Sequence, residues 1–246
     1  MGIKFGGHWI LLLALLAGCE ELKPPPQLAD KVLGGLRVEA AKLEAGRRVY
    51  QSRCRSCHGD FGDGMGPLGY QQRPQAADLR RGLIKFASVP AGQLPLDSDI
   101  ERVLRGGLKG TAMLAWPLAD EEVQSVIQYI KTFSERWTDE LAGVPVSLHP
   151  DPWPVSPSGK AAAIERGKSL LNGSVACQSC HGENSREKHG APSLTSGTFK
   201  AGETGVDLYR VIAAGIGGTA MPSWEGALAP KDIWALVHYL KHIRDE

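Results

Sequence analysis

Two short stretches constrain this chain more than any other part of it. Residues 52–60 read SRCRSCHGD, and residues 176–184 read ACQSCHGEN. Each places two cysteines three positions apart with a histidine directly after the second. The first set is Cys54, Cys57 and His58; the second is Cys177, Cys180 and His181. The pattern C-x-x-C-H is the attachment signature of a c-type haem. Two thiols add to the two vinyl groups of the porphyrin, and the next residue then lies under the ring, where its imidazole binds iron. A thioredoxin-like redox pair accounts for the cysteines but not for a histidine after both pairs. A zinc ion held by the two C-x-x-C pairs would be a four-thiolate site. It would leave both histidines idle and bring together segments more than a hundred residues apart.

The only other cysteine is Cys19, in the opening MGIKFGGHWILLLALLAGCEELKPPPQ. One lysine, Lys4, precedes an apolar run from Trp9 to Ala17. That run is shorter than the roughly 20 residues a membrane-spanning helix needs, and it has the grammar of a secretory signal. Leu16-Ala17-Gly18-Cys19 resembles the bacterial lipobox, in which cleavage leaves the cysteine as an acylated first residue. Residues 1–18 are therefore expected to be a lipoprotein signal peptide and Cys19 the lipid attachment point. Two or more acyl chains hold stably to a membrane where one binds marginally. Whether that membrane is inner or outer stays open.

The chain carries 28 basic and 27 acidic side chains, so no nucleic-acid partner is expected, since that would require a strongly basic face. With four cysteines in thioether bonds and one acylated, no thiol is left for a disulfide.

Past a Pro-rich tether, residues 19–38, two similar units follow. The first, residues 39–140, opens with EAGRRVYQSRCRSCHGD and closes with GGLKGTAMLAWPLADEEVQSVIQYIKTF. The second, residues 160–246, opens with IERGKSLLNGSVACQSCHGE and closes with AGIGGTAMPSWEGALAPKDIWALVHYLKHI. Five prolines fall in residues 141–159 between them, the composition of a semi-rigid linker. It is expected to hold the units apart, so that changes at one leave the other untouched. Val123, Val126, Ile127 and Ile130 repeat at helical spacing, as do Ile233, Leu236, Val237 and Leu240. No long alternating strand pattern appears, so the fold class is all-α.

Both units resemble class I cytochrome c domains. That resemblance implies two small helical folds, each around one covalent haem c, in which an N-terminal helix crosses a C-terminal one at a small residue. Gly46 against Tyr129, and Gly167 against Tyr239, fit such a crossing. It also implies attachment of haem outside the cytoplasm and a methionine as the sixth iron ligand. Met113 in GTAMLAW and Met221 in GTAMPSW stand in equivalent places. A soft, neutral thioether favours Fe(II) and raises the potential. Met65 lies seven residues past His58 and reads as loop packing. His149, His189, His238 and His242 each lack a counterpart in the other unit. The proximal histidine is expected to donate its second ring N–H to a proline carbonyl, with Pro67 and Pro192 the candidates. Trp116 and Trp224, three residues beyond the methionines, are expected to wall the haem or bond a propionate, or to pack in the core.

Two six-coordinate irons imply electron transfer, with no catalytic residue in the chain. The expected protein is a periplasmic, lipid-anchored dihaem cytochrome passing single electrons between redox proteins. The alternatives are a dihaem enzyme of the peroxidase or thiosulfate-oxidising type, a dedicated subunit of an oxidase or molybdenum-enzyme complex, and a haem gas sensor.

Overall fold

A computed structural model describes residue 2 and residues 27–173, 177–182 and 191–245. Cys19 and His189 lie outside the described residues. The fold is all-α. In the first unit α1 (Ala40–Arg53), α2 (Arg55–His58), α3 (Asp97–Gly106), α4 (Asp120–Lys131) and α5 (Arg136–Asp139) follow one another. In the second come α6 (Pro157–Asn172), α7 (Cys177–His181), α8 (Gly205–Ala214) and α9 (Pro230–Asp245).

The helical spacing read from the sequence corresponds to the buried faces. Val123, Val126 and Ile127 are fully buried in the first core, and Ile233, Leu236, Val237 and Leu240 lie in the second. Glycine makes both helix crossings possible. A Cβ on Gly46 would overlap the Ser125 carbonyl oxygen and stand 2.8 Å from Tyr129 Cβ. A Cβ on Gly167 would overlap the Ala235 carbonyl oxygen and stand 2.7 Å from Tyr239 Cβ. Thus α1 packs backbone-close on α4, and α6 on α9. In the first unit Tyr50 sits beneath that crossing. Its ring packs against Tyr129 and Phe133, with centroids 5.4 and 4.9 Å away, and its hydroxyl donates to the Gly59 carbonyl at 2.7 Å. That bond ties α1 to the residue following His58.

Asp120 and Asp232 both lie in the first turn of their helices, where a carboxylate meets the positive end of the helix dipole. Asp232 also makes a two-pronged pair with Arg166 of α6, at 2.8 and 3.0 Å.

Two features depart from the sequence reading. Residues 31–38, placed in the tether, form an antiparallel hairpin of β1 (Lys31–Leu33) and β2 (Leu36–Val38). Gly34 and Gly35 both have positive φ, which suits a two-residue hairpin turn. The hairpin joins the first unit because Leu33 and Val38 bury against Leu43, Leu94 and Trp137.

The linker does not hold the units apart. Gly143 N donates to the Leu94 carbonyl and Val146 N to the Ser88 carbonyl, both at 2.8 Å, which fixes it to the first unit. Val146 buries its side chain in the core of the second unit, and Ser147 N donates to Glu225 there. Further on, Trp234 Nε1 donates to the His149 carbonyl, Trp153 Nε1 donates to the Lys231 carbonyl, and Asp151 pairs with His238 at 2.7 Å. Backbone hydrogen bonds and one buried valine lay the segment along both units.

Candidate haem sites

Cys54 ends α1, and Cys57 and His58 lie on the single turn of α2. Cys177, Cys180 and His181 all lie on α7. In the first unit the two thiols and the imidazole span the junction of α1 and α2, and in the second all three lie on α7. Burial raises the Cys54 thiol to about 11, with Cys57 adding to the effect, and burial likewise raises Cys177. A reactive C-x-x-C redox pair needs the opposite shift. Among the described residues no three His, Cys, Asp or Glu side chains gather as a metal-ion site, so the two cysteine pairs do not form a four-thiolate centre.

The histidines are oriented alike. His58 Nδ1 lies 3.1 Å from the Ala77 carbonyl, and His181 Nδ1 lies 3.0 Å from the Pro192 carbonyl. A carbonyl accepts only, so Nδ1 carries the proton and Nε2 keeps its lone pair for a metal. Burial also pushes His58 below the ordinary histidine pKa, which favours the neutral, ligating form; the Ala77 bond opposes this more weakly. Pro192 is thus where the sequence reading put the acceptor, whereas Pro67 is not the partner of His58. The loop after α2 is longer, so the acceptor falls 19 residues past the histidine instead of 11. A main-chain carbonyl leaves no trace in residue identity, and sequence reasoning had no means of finding Ala77.

The two methionine loops are built to one plan. Leu108 N bonds the Met113 carbonyl at 2.8 Å, and Ile216 N bonds the Met221 carbonyl at 3.1 Å. In both loops a threonine hydroxyl, Thr111 or Thr219, bonds back three residues at 2.8 Å and accepts the methionine N–H at 3.1 Å. Gly107 and Gly215 have positive φ, and a Cβ at either would press on the carbonyl of the loop's own methionine. Both methionines are partly buried. Trp116 and Trp224 are partly buried against their own cores, and each anchors its loop through its backbone N–H. Trp116 bonds the Leu104 carbonyl at 2.9 Å and Trp224 the Ala213 carbonyl at 3.0 Å.

Of the rivals, Met65 is exposed and its sulfur accepts a hydrogen bond from Gln75 at 3.1 Å. His149 is exposed in the linker, and His238 is paired with Asp151.

The model of the family described as cytochrome c oxidase, cbb3-type, subunit III matches residues 41–130 and 162–240. The chain belongs to this family. The two matched segments fall on the two units, each holding one C-x-x-C-H helix. Among curated relatives, the cbb3-type cytochrome c oxidase subunit CcoP of Azospirillum brasilense is 26% identical over 216 residues, covering 83% of this chain and 63% of its own length. Subunit FixP of Bradyrhizobium diazoefficiens is 26% identical over 207 residues, covering 79% and 59%. The chain therefore spans about three-fifths of the curated relatives it matches. A chain of the Kuenenia stuttgartiensis reducing HAO-like protein complex shares the architecture. Its TM-score is 0.73 at 29% identity, over 81% of this chain and 96% of that one.

As a member of the subunit III family this chain carries two covalently attached haems c. The residues present fit them. Each unit offers a thiol pair, an imidazole whose Nδ1 is bonded to a carbonyl and a loop-borne thioether, which are donor types that suit a haem c. Among the described residues no helix is long and apolar enough to cross a membrane.

Proposed function

We propose that this chain is a periplasmic dihaem electron carrier, held to the membrane through lipidated Cys19, that passes single electrons between redox proteins. Cys54 and Cys57 would hold the first haem and Cys177 and Cys180 the second. His58 and Met113 would bind the first iron, and His181 and Met221 the second. The observation that supports the reading is the shared plan of the two methionine loops, together with the matching Nδ1–carbonyl contact of the histidine in each unit. With a histidine and a methionine on each iron, no position would be left for substrate. Each haem supplies a one-electron couple, and the chain sets its potential, spacing and docking. Ala77 and Pro192 hold the imidazoles in the ligating tautomer. The Thr111 and Thr219 turns hold the methionine backbones. Trp116 and Trp224 pack beside them. The relatives are named as oxidase subunits, which makes a larger respiratory complex the favoured partner, without making this chain catalytic.

Single methionine variants test the reading. Met221→Ala is expected to open the second iron to carbon monoxide and lower its potential, and Met113→Ala to do the same at the first. Optical redox titration and carbon monoxide difference spectra give the answer. If the wild type binds carbon monoxide stoichiometrically at either haem, the carrier reading fails in favour of a haem enzyme or gas sensor.

A further inference from the structure

The two methionine loops follow one plan but are not identical in sequence. Lys109 in the first loop corresponds to Gly217 in the second, in the same turn, and Lys109 is exposed. The turn itself does not require glycine. Gly217 lies outside the left-handed region that Gly218 occupies, and the first loop takes the same turn with a lysine. What glycine permits is a neighbour. A Cβ on Gly217 would overlap the Ile84 carbonyl oxygen of the first unit and stand 3.4 Å from its carbon. Close by, Ala91 N of the first unit donates to the Ala214 carbonyl, the last residue of α8, at 2.7 Å. Arg81 reaches the Gly218 carbonyl at 3.5 Å. A cavity of about 560 Å³ along this seam is lined by Arg81, Leu83, Ala91 and Gly92 on one side and by residues 218–222, including Met221, on the other. The side chain of Ile84 meanwhile packs on the same core of the first unit as Met113.

We propose that the segment Ile84–Ala91 of the first unit is a positioning element for the methionine loop of the second, so that the potential of the second haem is set partly across the unit boundary. The proposal rests on Met221 being the sixth ligand. Backbone presses on backbone at Ile84 and Gly217, and the Ala91–Ala214 bond fixes the end of α8 from which the loop departs. Neither contact has flexible side-chain atoms to absorb a displacement. The equivalent loop of the first unit, with exposed Lys109, carries no such restraint at that position.

Two variants of the full, haem-loaded protein test this from opposite sides. Gly217→Ala forces the loop away from Ile84. Ala91→Pro removes the N–H offered to Ala214 and leaves the second unit's sequence intact. Proline suits that position, because residues 90–93 form a turn closed by Gln93 N on the Pro90 carbonyl, with Gly92 at positive φ. Each variant is expected to lower the second haem's potential by a tenfold change in its redox equilibrium, about 59 mV for one electron. The methionine–iron absorption of that haem should weaken, and the first haem should stay as in wild type. Gly106→Ala, whose Cβ meets nothing within 4 Å, is the control and should move neither. If Gly217→Ala does not retain both haems, Ala91→Pro decides alone. The proposal is overturned if the variants hold two haems and leave the second potential and its methionine band within twofold of wild type, while Met221→Ala still lowers that potential. If Met221→Ala changes nothing either, the ligand assignment itself falls, and the positioning role with it.

Discussion

Asp99 is fully buried and organises the segment that meets the second unit. Its Oδ1 accepts from Ser88 N and Arg102 Nη1, both at 2.9 Å; its Oδ2 accepts from Ser88 Oγ at 2.9 Å and Leu96 N at 3.2 Å. One carboxylate thus closes the loop from Ser88 to Leu96 and caps α3. Asp99→Asn keeps the shape but offers one acceptor oxygen in place of two. If that oxygen takes the Oδ1 position, the amide NH₂ faces Leu96 N–H, donor against donor; the Ser88 hydroxyl can rotate to accept. An unsatisfied partly buried N–H costs about 1–3 kcal/mol. Losing the ion pair with half-exposed Arg102 adds no more than about 1 kcal/mol. The expected destabilisation of the first unit is therefore about 1–4 kcal/mol. Denaturant unfolding of the haem-loaded protein, followed through absorbance of the first haem, measures it. A change below about 0.5 kcal/mol, the usual size for a neutral surface site, would refute the reasoning. It would mean that water or a shifted loop replaces the carboxylate's bonds.

Asp232→Asn should weaken the second unit, because the Arg166 guanidinium holds that carboxyl below its ordinary pKa. A group with a depressed folded pKa stabilises above its unfolded value and loses that contribution as pH falls through the folded one. Wild type and variant should therefore differ at neutral pH in denaturant midpoint and converge in acid; a constant gap down to pH 2 would contradict the assignment. Cys19→Ser should release the protein from membranes or leave it unprocessed, and a mutant that fractionates and matures like wild type would remove the lipid anchor.

The chemistry was legible in the sequence because haem attachment is written in side chains. Two thiols and an imidazole at fixed spacing survive as letters, and so does the glycine at each helix crossing. What escaped was main-chain work. The Ala77 carbonyl that orients His58 is independent of its residue type. The hairpin at residues 31–38 has strands of three residues, too short for alternation to register, and its stability comes from Trp137 and Leu94 far along the chain. At Ile84 and Ala91 the seam between the units is made of carbonyls and amides. Its one trace is a glycine where the sister loop has a lysine, a mismatch that means nothing until the Ile84 carbonyl is seen beside it.

The strapped linker has a kinetic consequence. Because residues 143–153 are bonded on both sides, the separation of the two redox centres is a fixed length and not an average over a swinging tether. Exchange between them should then follow a single first-order rate, unaltered by solvent viscosity or protein concentration. Only the encounters with outside donors and acceptors would feel diffusion and salt.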